Sequence, residues 1–220
     1  MNIADRIIYE DNHLLVIDKP AGILSQADGT RRDDVLTLCK AYIKQKYAKP
    51  GEVFLGLVHR LDFDVSGVMV LARTSKAASR LSEQFRDRSV KKFYEAILEG
   101  RIEPSAGRLE ILMRKDEGKR MARQAEEDDH DAKPASLTYR TLRRDGQRTL
   151  IEIQLESGRF HQIRFQFSEN GHPIVGDTKY GARPSKHGLA LRAVRLVLEH
   201  PTLKESMTFE TGEAWESALW

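Results

Sequence analysis

Apolar and polar positions alternate along this 220-residue chain in a pattern that predicts many strands and few helices. Two apolar runs separated by polar residues 10–13 predict a β-hairpin over residues 6–17. Residues 149–155 carry the clearest strand pattern, because Ile151, Ile153 and Leu155 alternate with the polar residues 152, 154 and 156. The same reasoning predicts further strands at residues 53–58, 67–71, 93–98, 109–113, 137–141, 189–198 and 207–210.

Three segments carry the apolar spacing of a helix. The first follows Asp33 and Asp34 and ends at residues 49–51, and the second begins after Thr74 and runs to about residue 88. The third covers residues 160–170 and is closed by Gly171. Because strands and helices do not alternate regularly, the pattern predicts an α+β fold with a largely antiparallel mixed sheet flanked by helices.

One long segment departs from both patterns. Residues 115–133 are almost entirely charged or small and include an acidic run at residues 126–129. Such a run is usually a solvated surface, so we expect a loop between two strands here.

Composition narrows the class of protein. Hydrophobic residues make up 40% of the chain and charged residues 31%, which is typical of a folded domain rather than a disordered one. No apolar run is long enough for a transmembrane helix, and the first residues lack the pattern of a secretory signal. We therefore expect a soluble, cytoplasmic protein that has no membrane partner. The net charge of +3 permits a nucleic-acid partner if the cations gather on one face.

A polar loop at residues 59–66 is the first candidate for chemistry, because it lies between two segments that favour strands. Asp62 is a candidate nucleophile or base, and Arg60 could keep its carboxylate ionised or contact a phosphate. The structural alternative is a turn in which Asp62 and Asp64 cap backbone amides and pair with Arg60. Spacing leaves both interpretations open.

Residues 157–164 are the second candidate, since they join the clearest strand to a predicted helix. His161 and Arg164 would share one face of that helix. Gly158 lets the backbone turn sharply, and Arg159 lies beside a helix N-terminus, which suits an anion. The alternative is an ordinary basic first turn with solvent-facing arginines.

Two further signals are weak on their own. The polar loop at residues 176–181 is bracketed by glycines, but such turns are common. His59 and His161 belong to no spaced metal motif, and the single cysteine, Cys39, can form neither a disulfide within the chain nor a thiolate cage. We therefore expect no metal site.

Taken in order along the chain, these segments resemble the RluA family of RNA pseudouridine synthases. The likeness rests on five motifs in the expected order, which makes it far more specific than any one of them. The motifs are Asp18-Lys19-Pro20-Ala21-Gly22, His59-Arg60-Leu61-Asp62 with Ser66-Gly67, Lys92-Phe93-Tyr94, Gly158-Arg159 with His161-Gln162-Ile163-Arg164, and Gly176-Asp177 through Tyr180-Gly181.

The resemblance implies a fold with a central active-site cleft and a reaction that isomerises uridine in RNA without any cofactor. It also implies a single catalytic domain over residues 1–220. Because the first motif begins near residue 14, we expect no separate N-terminal RNA-binding domain. The implied partner is ribosomal or transfer RNA, and we expect a monomer.

Roles for individual residues also follow from the resemblance. Asp62 would be the essential carboxylate, which either attacks C1′ of the ribose or abstracts a ribose proton to give a glycal. Arg164 would be the cation that holds the pKa of Asp62 down against burial. Tyr94 would pack on the uracil ring and handle the C5 proton, and Arg60 would fill the stack after the uridine is flipped out. The resemblance places substrate binding at His59, Arg60, Arg159, His161 and Gln162.

Two other functions stay open at this point. A nucleoside or glycoside hydrolase with Asp62 as nucleophile would need a second carboxylate, for which Asp64 and Asp177 are the attractive choices. A hydrolase would release free uracil, whereas a synthase must keep water away from the broken bond. A non-catalytic RNA-binding module would bind RNA equally well without Asp62 and would isomerise nothing.

Overall fold

The structure is a computed structural model and describes residues 2–212; residue 1 and residues 213–220, the ends of the expected domain, lie outside the described residues. Within that range it contains eleven strands and three α-helices. In chain order they are β1 Ile7–Glu10, β2 Leu14–Lys19, α1 Val35–Lys46, β3 Gly56–Leu57, β4 Ser66–Ala72, α2 Ser75–Arg86, β5 Lys91–Glu99, β6 Ala106–Asp116, β7 Met121–Gln124, β8 Lys133–Arg144, β9 Arg148–Leu155, α3 Gln162–Glu169, β10 Leu191–Glu199 and β11 Ser206–Glu210.

The described chain forms two compact units, and the first comprises residues 2–91 with 193–212. Its strands lie in the order β1-β2-β4-β10-β11, and β3 also pairs with β4. The two predicted helix starts are confirmed, because the Asp34 carboxylate accepts a bond from the N–H of Thr37 and the Thr74 hydroxyl accepts one from Ala77.

The core of the first unit forms where α2 packs on the paired strands β2 and β4. Leu14 and Val16 of β2 and Val70 of β4 lie on the same sheet face and are fully buried. Leu81 of α2 belongs to the same apolar cluster and is also fully buried. This packing makes β4 a rigid support for the polar loop that precedes it.

The second unit comprises residues 92–192, with its strands in the antiparallel order β5-β9-β8-β6-β7. The prediction of a loop at residues 115–133 is partly wrong, because β6 continues into this segment and β7 pairs with it to form a hairpin. Ala122 of β7 is 4% exposed, and its N–H donates to the Tyr180 hydroxyl at 2.7 Å. The acidic run does lie in a loop, where Asp129 pairs with Arg114 at 3.0 Å.

Two other boundaries differ from the predicted pattern. In the apolar segment 53–58 only Gly56 and Leu57 pair as a strand. A side chain at Gly56 would come within 2.8 Å of Cβ of Ala78, so glycine here allows α2 to approach. The third helix begins at Gln162 rather than residue 160, because His161 has a left-handed backbone with φ of 52°.

The α+β class with largely antiparallel strand pairing is confirmed, since the following pairs are all antiparallel: β1–β2, β2–β4, β3–β4, β5–β9, β6–β7, β6–β8, β8–β9 and β10–β11. The central cleft stays a prediction. None of the helices within residues 2–212 has the length and apolar character needed to cross a membrane.

Candidate active site and family

In the first unit, a turn that carries Asp62 is clamped by the segment that follows β2. The Ser25 hydroxyl donates to the carbonyl of Leu61 at 2.7 Å and accepts from the N–H of the same residue at 3.1 Å. On the other side of Asp62, the Phe63 carbonyl accepts a bond from the Gly22 N–H at 2.9 Å. The backbone on both sides of Asp62 is therefore fixed by the first motif region.

Lys19 lies fully buried near this turn. Its ammonium donates to the carbonyls of Pro20 at 3.0 Å and Phe63 at 3.3 Å. Burial lowers the pKa of Lys19 to about 8, although the negative charges of Asp62 and Asp64 act to raise it. Lys19 therefore remains mostly protonated at neutral pH and places a buried cation within electrostatic reach of Asp62.

His59 and Arg60, which precede Asp62, have different surroundings. The His59 Nε2 accepts a bond from the backbone N–H of Val70 at 3.0 Å, and its ring stacks on Phe85 with centroids 4.6 Å apart. These contacts tie the loop to β4 and α2. Arg60 is exposed, which suits a contact with a ligand. Substrate binding by either residue stays a prediction.

Gly67 of the second motif meets a close backbone approach. Its φ is 121°, and a Cβ at this position would lie 2.0 Å from the carbonyl oxygen of Ala193. Only glycine fits such a contact without displacing the β10 backbone. Packing of β4 against β10 therefore requires the motif's glycine at the second position of β4.

In the second unit, Tyr94 lies on β5 opposite Ile153 of β9 and is 9% exposed. Lys92 shares its strand face, because side chains two residues apart point the same way. The Lys92 Nζ lies 3.5 Å from the position that a Cβ on Gly158 would occupy. The strand face of Tyr94 therefore borders the loop that carries the second candidate site.

Gln162 organises that loop from within. It is 2% exposed, and its side-chain oxygen accepts bonds from the Ser157 hydroxyl at 2.8 Å and the Arg159 N–H at 3.1 Å. Its amide nitrogen donates to the Ser136 carbonyl at 3.0 Å. The Arg159 guanidinium donates to the Pro134 carbonyl at 3.2 Å. Both residues thus hold the loop against β8, and their contact with RNA stays a prediction.

Arg164 forms a buried bidentate ion pair with Asp177. Its Nε lies 2.7 Å and its Nη2 2.6 Å from the two carboxylate oxygens, and the side chains are 6% and 0% exposed. Sequence reasoning selected Asp177 only as a second carboxylate for a hydrolase and missed this pair. The signal available was the aspartate in the fifth motif. The pairing of Arg164 with Asp62 stays a prediction.

His161 is a neutral ring beside this pair. Its Nε2 lies 3.4 Å from Nη1 of Arg164, and its Nδ1 lies 2.9 Å from the Tyr180 oxygen. Because arginine only donates, we assign the ring proton to Nδ1, which donates to Tyr180. Burial, followed by the positive charges of Arg164, Lys179 and Lys115, lowers the pKa of His161 to about 3.

Phe160 lies within the second candidate segment but was not among the residues predicted to bind substrate. Its ring is 37% exposed and stacks on His161 with centroids 3.8 Å apart. The Lys115 ammonium lies 5.2 Å from the ring centre. An exposed aromatic ring beside cations suits a stacked base. The signal was an aromatic residue inside a basic turn.

The predicted site residues thus fall into two groups, one in each unit. His59, Arg60 and Asp62 lie in the first unit, and Tyr94, Arg159, His161, Gln162 and Arg164 lie in the second. Among residues 2–212, no group of three or more His, Cys, Asp or Glu side chains is arranged to hold a metal ion.

Known proteins match both the sequence and the fold. A family model described as RNA pseudouridylate synthase matches residues 13–169. The ribosomal large subunit pseudouridine synthase C of Vibrio vulnificus is 32% identical over 227 residues, which cover 99% of this chain and 69% of the relative. The ribosomal large subunit pseudouridine synthase D of Pseudomonas aeruginosa is 40% identical over 177 residues, 80% of this chain and 53% of the relative. The solved structure titled Human RNA Pseudouridylate Synthase Domain Containing 4 has a TM-score of 0.80 at 27% identity, covering 97% of this chain and 90% of that one.

The matched segment contains the motifs that carry Lys19, Asp62, Tyr94 and Arg164. Sequence and fold therefore lead to the same assignment, and the resemblance to the RluA type is confirmed. The chain belongs to the RNA pseudouridylate synthase family and is an RluA-type pseudouridine synthase, an isomerase that acts on RNA.

Proposed function

We propose that this pseudouridine synthase isomerises specific uridines of ribosomal or transfer RNA in the cytoplasm, with Asp62 as its essential carboxylate. The environment of Asp62 supports this role. The turn is held on both sides by backbone bonds to Ser25 and Gly22. The buried Lys19 ammonium favours the ionised form of a carboxylate near it. A fixed, ionised carboxylate is what either form of the reaction requires.

The reaction is an isomerisation in which every atom of the nucleotide is kept. The bond between N1 of uracil and C1′ of the ribose breaks, the base rotates, and C5 bonds to C1′. C5 then loses a proton and N1 gains one, so nothing is oxidised or hydrolysed. Asp62 either forms a transient ester at C1′ or removes a ribose proton, and both roles remain within the proposal.

The other proposed roles follow the family positions. Tyr94 packs on the uracil and handles the proton at C5. Arg164 supplies positive charge, and its bidentate bond to Asp177 fixes the orientation of its guanidinium. Arg60 is exposed and takes the place of the flipped uridine in the RNA stack.

The surroundings of the two other carboxylates favour a synthase over a hydrolase. A hydrolase with Asp62 as nucleophile needs a second carboxyl group as an acid. Asp177 is fully buried, and both of its oxygens accept bonds from Arg164, so this carboxylate is already engaged in an ion pair. Asp64 is exposed, and substituting it tests the remaining alternative.

The test compares Asp62→Asn with Asp64→Asn, a matched control in the same turn. Both aspartates act on the pKa of Lys19, so both substitutions remove a similar charge from its surroundings. The substrates are transcripts of large-subunit ribosomal RNA and of transfer RNA that carry tritium at C5 of uridine. Tritium released to water reports isomerisation, and chromatography of the same sample reports free uracil.

We expect Asp62→Asn to bind RNA normally and to release no tritium, while Asp64→Asn keeps most of the activity. Turnover by a cleanly purified Asp62→Asn protein would refute the assignment of Asp62. Equal loss in both variants would show that the charge of the turn matters rather than chemistry at Asp62. Free uracil from the unaltered protein would mean that hydrolysis occurs.

A further inference from the structure

A cleft of about 700 Å³ lies in the second unit, at the end of β5 that is far from Tyr94. Its lining includes Arg148, Arg183, Lys186 and His187, together with Glu99. We propose that this cleft binds the phosphodiester backbone of the RNA substrate, outside the nucleotide that is isomerised. The inference rests on the proposed function for its RNA ligand and adds a second contact site.

The charge of the cleft suits an anion. Three permanent cations line it, against a single carboxylate. That carboxylate is already engaged, because Oε1 of Glu99 accepts a bond from the backbone N–H of Arg183 at 3.0 Å. Arg183 and Lys186 are exposed, and neither side chain forms an ion pair within the described residues. Exposed cations gathered around a concave surface are the usual footprint of a phosphate backbone.

The cationic loop is built into the fold. A turn at residues 185–188 is closed by the Gly188 N–H, which donates to the Ser185 carbonyl at 3.1 Å. The Ser185 hydroxyl also accepts the His187 N–H at 3.2 Å. Gly176 has φ of 82°, and a Cβ there would lie 1.9 Å from the Gly188 carbonyl oxygen. Direct backbone contact therefore anchors the loop beside the fifth motif.

Position separates the cleft from the reacting base. Glu99 follows Tyr94 by five residues on the same strand, which at ~3.3 Å per residue amounts to ~17 Å. A uridine against Tyr94 therefore cannot fill the cleft, but the RNA chain a few nucleotides away can reach it. The lining is charged and polar, whereas pockets for small ligands are mostly apolar, which favours a backbone over a free nucleotide.

The test measures how RNA binding depends on salt. Arg183→Gln/Lys186→Gln removes two cations from the cleft. The matched control, Arg101→Gln/Lys204→Gln, removes two exposed cations that already pair with Glu103 and Glu199. Binding of a fluorescein-labelled twenty-nucleotide oligouridylate is followed by anisotropy across a range of NaCl concentrations, and tritium release gives kcat and KM.

We expect the cleft variant to flatten the plot of log affinity against log salt by ~1.4, or ~0.7 for each lost phosphate contact on a single strand. Its KM should rise while kcat stays unchanged, and the control should match the unaltered protein in all three quantities. An unchanged slope in the cleft variant, or equal flattening in the control, would overturn the proposal.

Two further outcomes separate this proposal from others. Suppose that free uridine monophosphate binds the unaltered protein but not the cleft variant, while the salt dependence of oligonucleotide binding is the same in both proteins. In that case the cleft binds a small anion and the RNA proposal is wrong. If no RNA is isomerised but the slopes differ as expected, the proposed function fails while the cleft still binds RNA backbone.

Discussion

The buried pair of Arg164 and Asp177 allows a sharp test of what holds the second unit together. Replacing Asp177 by Asn removes the negative charge and turns one acceptor into a donor that faces the guanidinium. His161 lies next to Arg164, but an imidazole ring is either neutral or positive and therefore cannot replace the lost negative charge. The substitution leaves an arginine that is 6% exposed without its carboxylate.

Breaking a buried ion pair from one side typically costs ~3–5 kcal/mol, because the remaining charge stays desolvated. The two bonds of 2.7 and 2.6 Å and the full burial of Asp177 place this pair in that class. Lys204 and Glu199 are joined by a bond of 2.9 Å but are 60% and 48% exposed. Breaking that pair should cost only ~0–1 kcal/mol.

Urea unfolding followed by circular dichroism compares Asp177→Asn, Arg164→Met, their double variant and the control Glu199→Gln. We expect each single change at the buried pair to lower the free energy of unfolding by ~3–5 kcal/mol. The double variant should cost less than the sum, with a coupling of ~2–3 kcal/mol. Glu199→Gln should change it by no more than ~1 kcal/mol.

A cost below ~1 kcal/mol for Asp177→Asn, similar to the exposed control, would refute the reasoning about burial. The same pair changes how activity measurements are read. If Arg164→Met loses activity, the cause can be the broken ion pair with Asp177 as well as any effect on Asp62. Comparison with Asp177→Asn, which keeps the arginine, separates the two.

Three further changes test other parts of the structure. The folded-state pKa of Lys19, about 8, lies below the unfolded value of 10.5, so the unfolded chain binds more protons between these two pH values. The free energy of unfolding should therefore rise with pH over this range, by about 3 kcal/mol in total. Urea unfolding of Lys19→Met at pH 8 and 10 should lack this rise, and an identical rise in the variant would disprove the role of Lys19. Gly67→Ala should lower the free energy of unfolding by at least ~2 kcal/mol, because the new Cβ would lie 2.0 Å from the Ala193 carbonyl oxygen. The control Gly146→Ala places a Cβ with nothing within 4 Å and should change the free energy of unfolding by less than ~0.5 kcal/mol. Equal effects of the two substitutions would contradict the clash. Tyr94→Phe keeps the ring and removes the hydroxyl, so we expect slower proton loss and a larger isotope effect at C5, and unchanged turnover without any isotope effect would leave Tyr94 a packing residue only.

Local sequence patterns were sufficient for most helices and strands. Asp34 and Thr74 predict the starts of α1 and α2, because an N-cap bond joins residues only three positions apart and is therefore visible in the local sequence. The alternation at residues 151–156 predicts β9 because one strand face is buried and the other is less so. The order of the motifs also indicated the family, since the motifs depend on residue identity alone.

Contacts between distant residues could not be predicted in the same way. β7 forms in a segment of charged composition because Ala122 and Tyr180, 58 positions apart, meet in one cluster. The partner of Arg164 is likewise set by the turn that brings Asp177 next to α3, 13 positions later.

The sequence by itself determined most of the helices and strands, the candidate residues for the chemistry and the family that the chain resembles. The tertiary structure decided the state of those residues, because burial and neighbouring charge set it. Lys19 reads as an ordinary lysine after a strand, yet the fold buries it beside the Asp62 turn and lowers its pKa to about 8. His161 reads as a helical histidine, yet the fold gives it a left-handed backbone and keeps it neutral, because desolvation and neighbouring cations act only once the chain has packed.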